Sequence, residues 1–308
     1  MLAHGSILVP LDGSAISERS LPYATALAKA LHGRLVLMTA AYISDIPEHG
    51  PWSDEMVARP RETCLQYLAA IRDRLAVSDA ELVVKVNYPY EAILETAKEV
   101  DAALIVASTH GRSGLSRWMY GSTAGNLLHT SHVPLLVAGK EVAETAASGF
   151  APKHILIPLD GSPLAEAALP AAMELASAFG AKVTLVRVTP FSAEAFPMYA
   201  PQMYFPRLDE ELVSSARAYL EKTQSALAQP VEIEVFQGGS ATVLLDFVER
   251  NAVDLVVMST HARAGIARTV LGSTADRMLH GHAPVLLIRP VASAAEAPEE
   301  RAAKATAR

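Results

Sequence analysis

The sequence predicts an α/β fold of two tandem domains, each a doubly wound, five-stranded parallel sheet. Three observations predict this fold. The chain has 308 residues, more than one domain usually holds, and one pattern of residues occurs twice along it. Short β-branched runs also alternate with longer amphipathic stretches, as in βαβ units. We place domain 1 at residues 1–141, a linker at 142–152, domain 2 at 153–291 and a disordered tail at 292–308.

The repeated pattern is nearly identical in two stretches of each half. The segment Ile7–Ser14 reads ILVPLDGS, and the segment Ile155–Ser162 reads ILIPLDGS. Further along, the segment 108–124 returns as the segment 259–275, and each begins with Ser-Thr-His and ends with Gly-Ser-Thr-Ala. Because two such matches occur in the same order, we expect the two halves to share one fold.

Each domain should contain five strands with helices between them. In domain 1 the strands are predicted near Ile7–Leu11, Leu35–Ala40, Leu82–Val86, Ala103–Ala107 and Leu135–Ala138. The expected strand order is 3-2-1-4-5, which makes strands one and four neighbours and reverses the direction of winding between them. Ligands of such sheets bind outside the carboxyl ends of the strands at that point. Asp12 follows strand one and Ser108 follows strand four, so both loops should open onto one crevice.

The first helix of each domain carries start and stop signals. In domain 1 we expect it to run from Ser14, a good N-cap, to Leu31, with Gly33 ending it. The matching signals in domain 2 are Ser162 as the cap, Pro163 at the first helical position and Gly180 as the stop. A proline lies inside each predicted helix, at Pro22 and Pro170, and should kink it.

Composition and charge exclude several classes of function. The formal net charge of -7 argues against nucleic acid as the main partner, since that binding depends on Lys and Arg at phosphates. No apolar run reaches the roughly 20 residues that span a bilayer, and the N-terminus shows no signal sequence, so we expect a cytoplasmic protein. The single cysteine, Cys64, allows neither an intrachain disulfide nor a cysteine metal cage.

A small anion could still bind at the second repeated stretch. Gly121-Ser122-Thr123 opens a predicted helix that runs to about His129. A glycine turn lets backbone N–H groups approach a phosphate, and a helix N-terminus adds further donors and the positive end of its dipole. The alternative is a loop glycine followed by an ordinary serine N-cap.

The two motifs together resemble those of ATP-binding universal stress proteins. In that family a strand ends in Asp-Gly-Ser, and a later loop reads Gly, two residues, Gly, nine residues, Gly and Ser or Thr. Here Gly111 and the pair Gly121-Ser122 match, whereas Ser108 stands at the first glycine. In domain 2, Ser259 and Ala262 replace both early glycines. The resemblance implies a fold like that of the adenine nucleotide α hydrolases.

The resemblance also implies a set of binding residues. Asp12 and Asp160 match the aspartate that binds adenine or ribose, and Ala40 and Val188 match the backbone position that reads the adenine edge. The matching phosphate-binding positions in domain 1 are Ser108, Gly111, Gly121 and Ser122, with Thr123 next at the helix start. Those in domain 2 are Ser259, Ala262, Gly272, Ser273 and Thr274. His110 could fix the loop by hydrogen bonding or line the phosphate pocket. For each aspartate the alternative is a turn residue that orders its loop.

The expected function is adenine nucleotide binding, with ATP favoured and Mg²⁺ arriving with it, chiefly in domain 1 and without catalysis. Two alternatives stay open: a pseudo-symmetric scaffold that binds no nucleotide, and a slow ATPase whose only visible general base is His110. Ser108 with His110 could also suggest a nucleophile and its base, but no nucleophile elbow surrounds them. The resemblance further implies that the last strands, 133–137 and 284–288, pair as a dimer built into one chain, and leaves open whether two chains associate.

Overall fold

The computed structural model describes residues 2–41, 54–108, 122–138, 149–191, 206–260 and 271–290. The strands are β1 Ser6–Pro10, β2 Arg34–Ala40, β3 Glu81–Lys85, β4 Ala102–Ser108, β5 Leu135–Ala138, β6 His154–Pro158, β7 Lys182–Thr189, β8 Glu232–Gln237, β9 Leu255–Ser259 and β10 Val285–Ile288. The helices are α1 Leu21–Leu31, α2 Asp54–Leu75, α3 Pro89–Glu99, α4 Ser122–Thr130, α5 Pro163–Glu166, α6 Leu169–Phe179, α7 Pro206–Ser225, α8 Ser240–Arg250 and α9 Ser273–Met278. None of these helices is both long and apolar enough to cross a membrane.

The strands form one ten-stranded sheet in the order β3-β2-β1-β4-β5-β10-β9-β6-β7-β8. Each half therefore has the predicted order 3-2-1-4-5, and all pairings within a half are parallel. The predicted fold class is confirmed. The strand bounds in domain 1 agree with the predicted ones to within a residue, because uninterrupted aliphatic runs are typical of parallel strands buried on both faces. Ile7, Leu8 and Val9 show this, since all three are fully buried.

The two halves meet along an antiparallel seam between β5 and β10. Leu136 lies opposite Leu286, and Val137 lies opposite Val285, with all four side chains buried. At the end of the seam the Arg289 guanidinium donates to the His129 carbonyl oxygen at 2.8 Å. The prediction that the last strands pair within one chain is confirmed. The pairing covers the edge that each five-stranded sheet would otherwise expose.

The start of the first helix differs from the prediction in domain 1. Ser14 precedes a short 3-10 helix, Ser17–Ser20, and accepts the backbone N–H of Ser17 at 3.1 Å; α1 begins only at Leu21. Pro22 and Pro170 lie in the first turns of α1 and α6, so the predicted kinks were wrong. A proline lacks the N–H that the first turn leaves unpaired anyway, and it therefore starts a helix without breaking it.

Domain 2 keeps the predicted helix cap, and the first helices of the two domains end in different ways. The Ser162 hydroxyl accepts the Ala165 N–H at 3.1 Å, and Pro163 is the first residue of α5. Gly180 ends α6 in the left-handed conformation, as predicted. In domain 1, however, His32 takes that conformation with φ 52°. Gly33 is needed there for another reason, because a Cβ on it would lie 2.6 Å from the Gly5 carbonyl oxygen.

Domain 2 begins on a buried histidine. His154 is 3% exposed, with Nδ1 3.0 Å from the Asn251 carbonyl oxygen and Nε2 2.8 Å from the Thr184 hydroxyl. The Asn251 carbonyl can only accept, so Nδ1 carries the proton of the neutral ring. Burial lowers the pKa of His154 below the ordinary histidine value, which outweighs the opposing effect of the Asn251 carbonyl.

We expect His154 to make the protein less stable as the pH falls below about 6.5, the histidine pKa of an unfolded chain. Its folded pKa is depressed, so its contribution is complete above that pH and is lost as the pH falls towards the folded value, with a slope of at most about 1.4 kcal/mol per pH unit. The measurement is urea unfolding between pH 5 and 8 for the protein and for His154→Ser, which copies Ser6 at the start of β1. Equal pH dependence in both proteins would contradict this assignment.

Candidate functional site

A cavity of about 870 Å³ opens at the carboxyl ends of β1, β2 and β4 in domain 1. Its wall includes the five described residues that the sequence predicted for this domain: Asp12, Ala40, Ser108, Ser122 and Thr123. The volume is in the range of pockets that enclose small-molecule ligands. The structure therefore brings the two sequence motifs of domain 1 to one hollow.

The sheet topology explains why distant segments meet there. β1 pairs with β2 on one side and with β4 on the other, and all three run in the same direction. Their loops therefore leave the same edge of the sheet, and the chain winds in opposite senses on the two sides of β1. This is the point at which open parallel sheets leave a crevice for ligands.

Asp12 organises the loop after β1. Its Oδ1 accepts the Ser14 N–H at 2.9 Å and the Ser14 hydroxyl at 2.6 Å, and Gly13 turns the chain with φ 79°. Asp12 is therefore a turn residue, which was the alternative interpretation, and it also lines the cavity. The two roles are compatible because the turn holds the carboxylate at the rim.

The N-terminal end of α4 forms another part of the cavity wall. Ser122 and Thr123 are its first two residues, and both line the cavity. The first turn of a helix has N–H groups with no partner inside the helix, and it carries the positive end of the helix dipole. The other predicted residues of this loop, His110, Gly111 and Gly121, lie outside the described residues. Within the described ranges, no group of three or more His, Cys, Asp or Glu side chains is placed to hold a metal ion.

Sequence reasoning missed the wall that α2 provides. Tyr67 lines the cavity, and its hydroxyl donates to Glu18 Oε1 at 3.1 Å; Arg74 forms an ion pair with the same carboxylate. Burial, together with the Glu18 charge, raises the pKa of Tyr67 well above its usual value, so the phenol stays neutral. Comparison of the repeats could have revealed this brace, because Tyr219 and Glu166 form the same hydrogen bond in domain 2, at 2.9 Å.

Domain 2 places its predicted residues in the same way. Asp160 Oδ1 accepts the Ser162 N–H at 2.8 Å and the Ser162 hydroxyl at 2.6 Å, which repeats the turn at Asp12. The remaining described residues predicted for this domain are Val188 near the end of β7, Ser259 at the end of β9, and Gly272, Ser273 and Thr274 at the start of α9. Ala262 lies outside the described residues.

The crevice of domain 2 holds an arginine side chain, Arg187, and the matching position in domain 1 is not an arginine. The Arg187 guanidinium carbon lies 4.8 Å above the centre of the Tyr219 ring. The same guanidinium lies so close to Gly161 that a Cβ there would be 2.9 Å from Arg187 Nη2. Burial and the hydrogen bond to Glu166 raise the pKa of Tyr219 to about 12, so the ring under the arginine is a neutral phenol.

Comparison with known proteins agrees with this architecture. The family model described as "Universal stress protein family" matches residues 4–139 and again residues 152–289. A universal stress protein of Methanocaldococcus jannaschii is 30% identical over 141 residues, which are 44% of this chain and 82% of its relative. One of Mycolicibacterium smegmatis is 25% identical over 297 residues, which are 92% and 97% of the two chains. The crystal structure of a universal stress protein from Archaeoglobus fulgidus shares the fold, with a TM-score of 0.70 at 17% identity over 93% of this chain and 98% of that one. The chain therefore belongs to the universal stress protein family, with one copy of the family's domain in each half.

Proposed function

We propose that this protein binds an adenine nucleotide, ATP, in the cavity of domain 1 and acts as a cytoplasmic stress-response protein through its bound state. One observation carries the proposal: residues 12, 108, 122 and 123, from two separate motifs, and residue 40 at the end of β2 line one cavity of about 870 Å³. A cavity of this size can enclose a nucleotide. Membership of the universal stress protein family supports the same function.

The chemistry of the wall suits the two ends of a nucleotide. The N–H groups of the first turn of α4, at Ser122 and Thr123, would hold the phosphates, with Mg²⁺ arriving on the phosphates. Asp12, held at the rim by its bonds to Ser14, would accept hydrogen bonds from the adenine or the ribose. Next to it, the backbone at Ala40 would meet the adenine edge. In this arrangement the protein binds and orients the nucleotide without a covalent step.

The test is to ask what the purified protein carries. Heat or acid denaturation followed by chromatography of the supernatant should release adenine nucleotide, at about one molecule per chain. The protein stripped of nucleotide should unfold at a higher temperature when Mg-ATP is added, because a ligand that binds only the folded state stabilises it. No released nucleotide and no thermal shift would contradict the proposal and favour a scaffold without a nucleotide site. Production of ADP at a steady rate from added ATP would favour a slow ATPase.

A further inference from the structure

One difference between the two halves lies near the carboxyl end of the second strand of each domain, β2 and β7. In domain 1, Pro10 of β1 pairs with Met38, so the next residue of β2 is Thr39. In domain 2, Pro158 of β6 pairs with Val186, so the next residue of β7 is Arg187. Thr39 lines the open cavity of domain 1. An arginine therefore stands where the open site has a short side chain.

The Arg187 guanidinium lies between two groups whose counterparts in domain 1 line the open cavity. One is Gly161, whose counterpart Gly13 lines that cavity with a similar left-handed backbone, φ 79° against 91°. The other is the Tyr219 ring, whose counterpart Tyr67 also lines that cavity. Each tyrosine is fixed by its bond to a glutamate at the start of its domain. The walls are therefore equivalent, and in domain 2 the space between them contains the guanidinium.

We infer that Arg187 closes the crevice of domain 2 to nucleotides by filling it, so that the chain holds one nucleotide and holds it in domain 1. The inference rests on the proposed function. It adds one side chain, Arg187, to the differences between the two domains that the sequence shows at Ser259 and Ala262.

The exclusion is steric and not electrostatic. A guanidinium attracts phosphate, so its charge alone would favour a nucleotide. Its planar group is stacked on the Tyr219 ring and packed on the Gly161 backbone, so it occupies space between these walls that a base or ribose would need. Within the described ranges Arg187 makes no hydrogen bond or ion pair, so a shorter side chain here breaks no polar network and the domain should still fold.

The experiment counts the nucleotides bound to the full chain by isothermal titration calorimetry with Mg-ATP, after removal of any bound nucleotide. The unmodified protein should bind one per chain. Arg187→Thr should bind two, and Thr39→Arg, the reciprocal change, should bind none. The double variant should bind one again. Arg187→Met is the matched control, because it removes the charge but keeps most of the side-chain length, and it should still bind only one. Circular dichroism and thermal unfolding confirm that each variant is folded.

The outcomes separate the inference from the function on which it rests. The comparison of Arg187→Thr with the unmodified protein tests the inference: an equal number of sites in both would overturn it, even if domain 1 binds as proposed. Two sites in the unmodified protein would also overturn it. The unmodified protein alone tests the proposed function, since no binding there contradicts a site in domain 1. A site that appears only in Arg187→Thr would show that Arg187 closes domain 2, and it would reject the proposed site in domain 1.

Discussion

Replacing Ser122 with glutamate is expected to lower the affinity for ATP by about 100-fold. The new carboxylate would lie at the first residue of α4, on the wall of the cavity where the phosphates are proposed to bind. Two like charges about 5 Å apart repel by about 3 kcal/mol at an effective dielectric constant of about 20, which corresponds to about two powers of ten in affinity. The measurement is the dissociation constant for Mg-ATP at fixed ionic strength.

The same substitution should leave the fold intact, which separates lost binding from lost structure. A negative side chain in the first turn of a helix interacts favourably with the dipole, by about 0.3 to 1 kcal/mol. The unfolding temperature without nucleotide should therefore be unchanged or slightly higher. Ser273→Glu is the matched control, because it makes the same change at the first residue of α9 in domain 2, and it should not alter ATP binding. An unchanged affinity in Ser122→Glu would place the phosphates elsewhere.

Shortening Leu136 to alanine should destabilise the whole chain by about 2 to 5 kcal/mol, the usual cost of a cavity in a buried core. Leu136 is 1% exposed in β5 and lies opposite Leu286 of β10, which is equally buried. Because the seam belongs to both halves, we expect one cooperative unfolding transition that shifts as a whole. The measurement is denaturant unfolding followed both by circular dichroism and by fluorescence.

Three further variants test whether the lost stability comes from the seam. Leu286→Ala should cost a similar amount, and the double variant should cost less than the sum, since the two residues face each other and share one cavity. Leu65→Ala is the control, because Leu65 is 43% exposed on α2 and its shortening should change stability by no more than about 0.5 kcal/mol. If one half of Leu136→Ala unfolded at a lower denaturant concentration than the other, the seam would not couple the two halves.

The strands and their order were predictable because two independent signals agreed. Short β-branched runs such as Ile7 to Val9 favour strands buried in a parallel sheet, and the repeat shows the same runs in both halves. The strands depend on periodicity and burial, which a sequence displays directly. The seam was predicted from the resemblance to the family, and it is physically reasonable because it covers the edges of β5 and β10.

The local turns were harder to predict, because they depend on contacts between distant residues. Pro22 looked like an interior proline only while Ser14 was taken as the start of α1; the 3-10 turn between them moves the helix start to Leu21. His32 adopts a left-handed conformation next to a glycine, and Gly33 is required by the approach of Gly5. No pattern among neighbouring residues of the sequence predicts this close approach of two backbone segments.

The candidate site was predictable in part. The motifs located Asp12 and Ser122, because residues at the carboxyl ends of neighbouring parallel strands and at the following helix start meet in space. The contribution of α2 could not be predicted in this way, since Tyr67 belongs to no motif and reaches the cavity only through packing. Arg187 was overlooked because the sequence of a strand does not show where the guanidinium of a single arginine lies. The available signal was its alignment with Thr39 when the two repeats are compared.

The antiparallel seam gives the molecule two ends with different chemistry. Strands of domain 1 and domain 2 run in opposite directions across β5 and β10, so their carboxyl ends emerge at opposite rims of the sheet. A ligand the size of a nucleotide therefore reaches one crevice and not the other. Whatever docks beside Asp12 and whatever docks beside Asp160 can be attached simultaneously, with the full length of the strands between them.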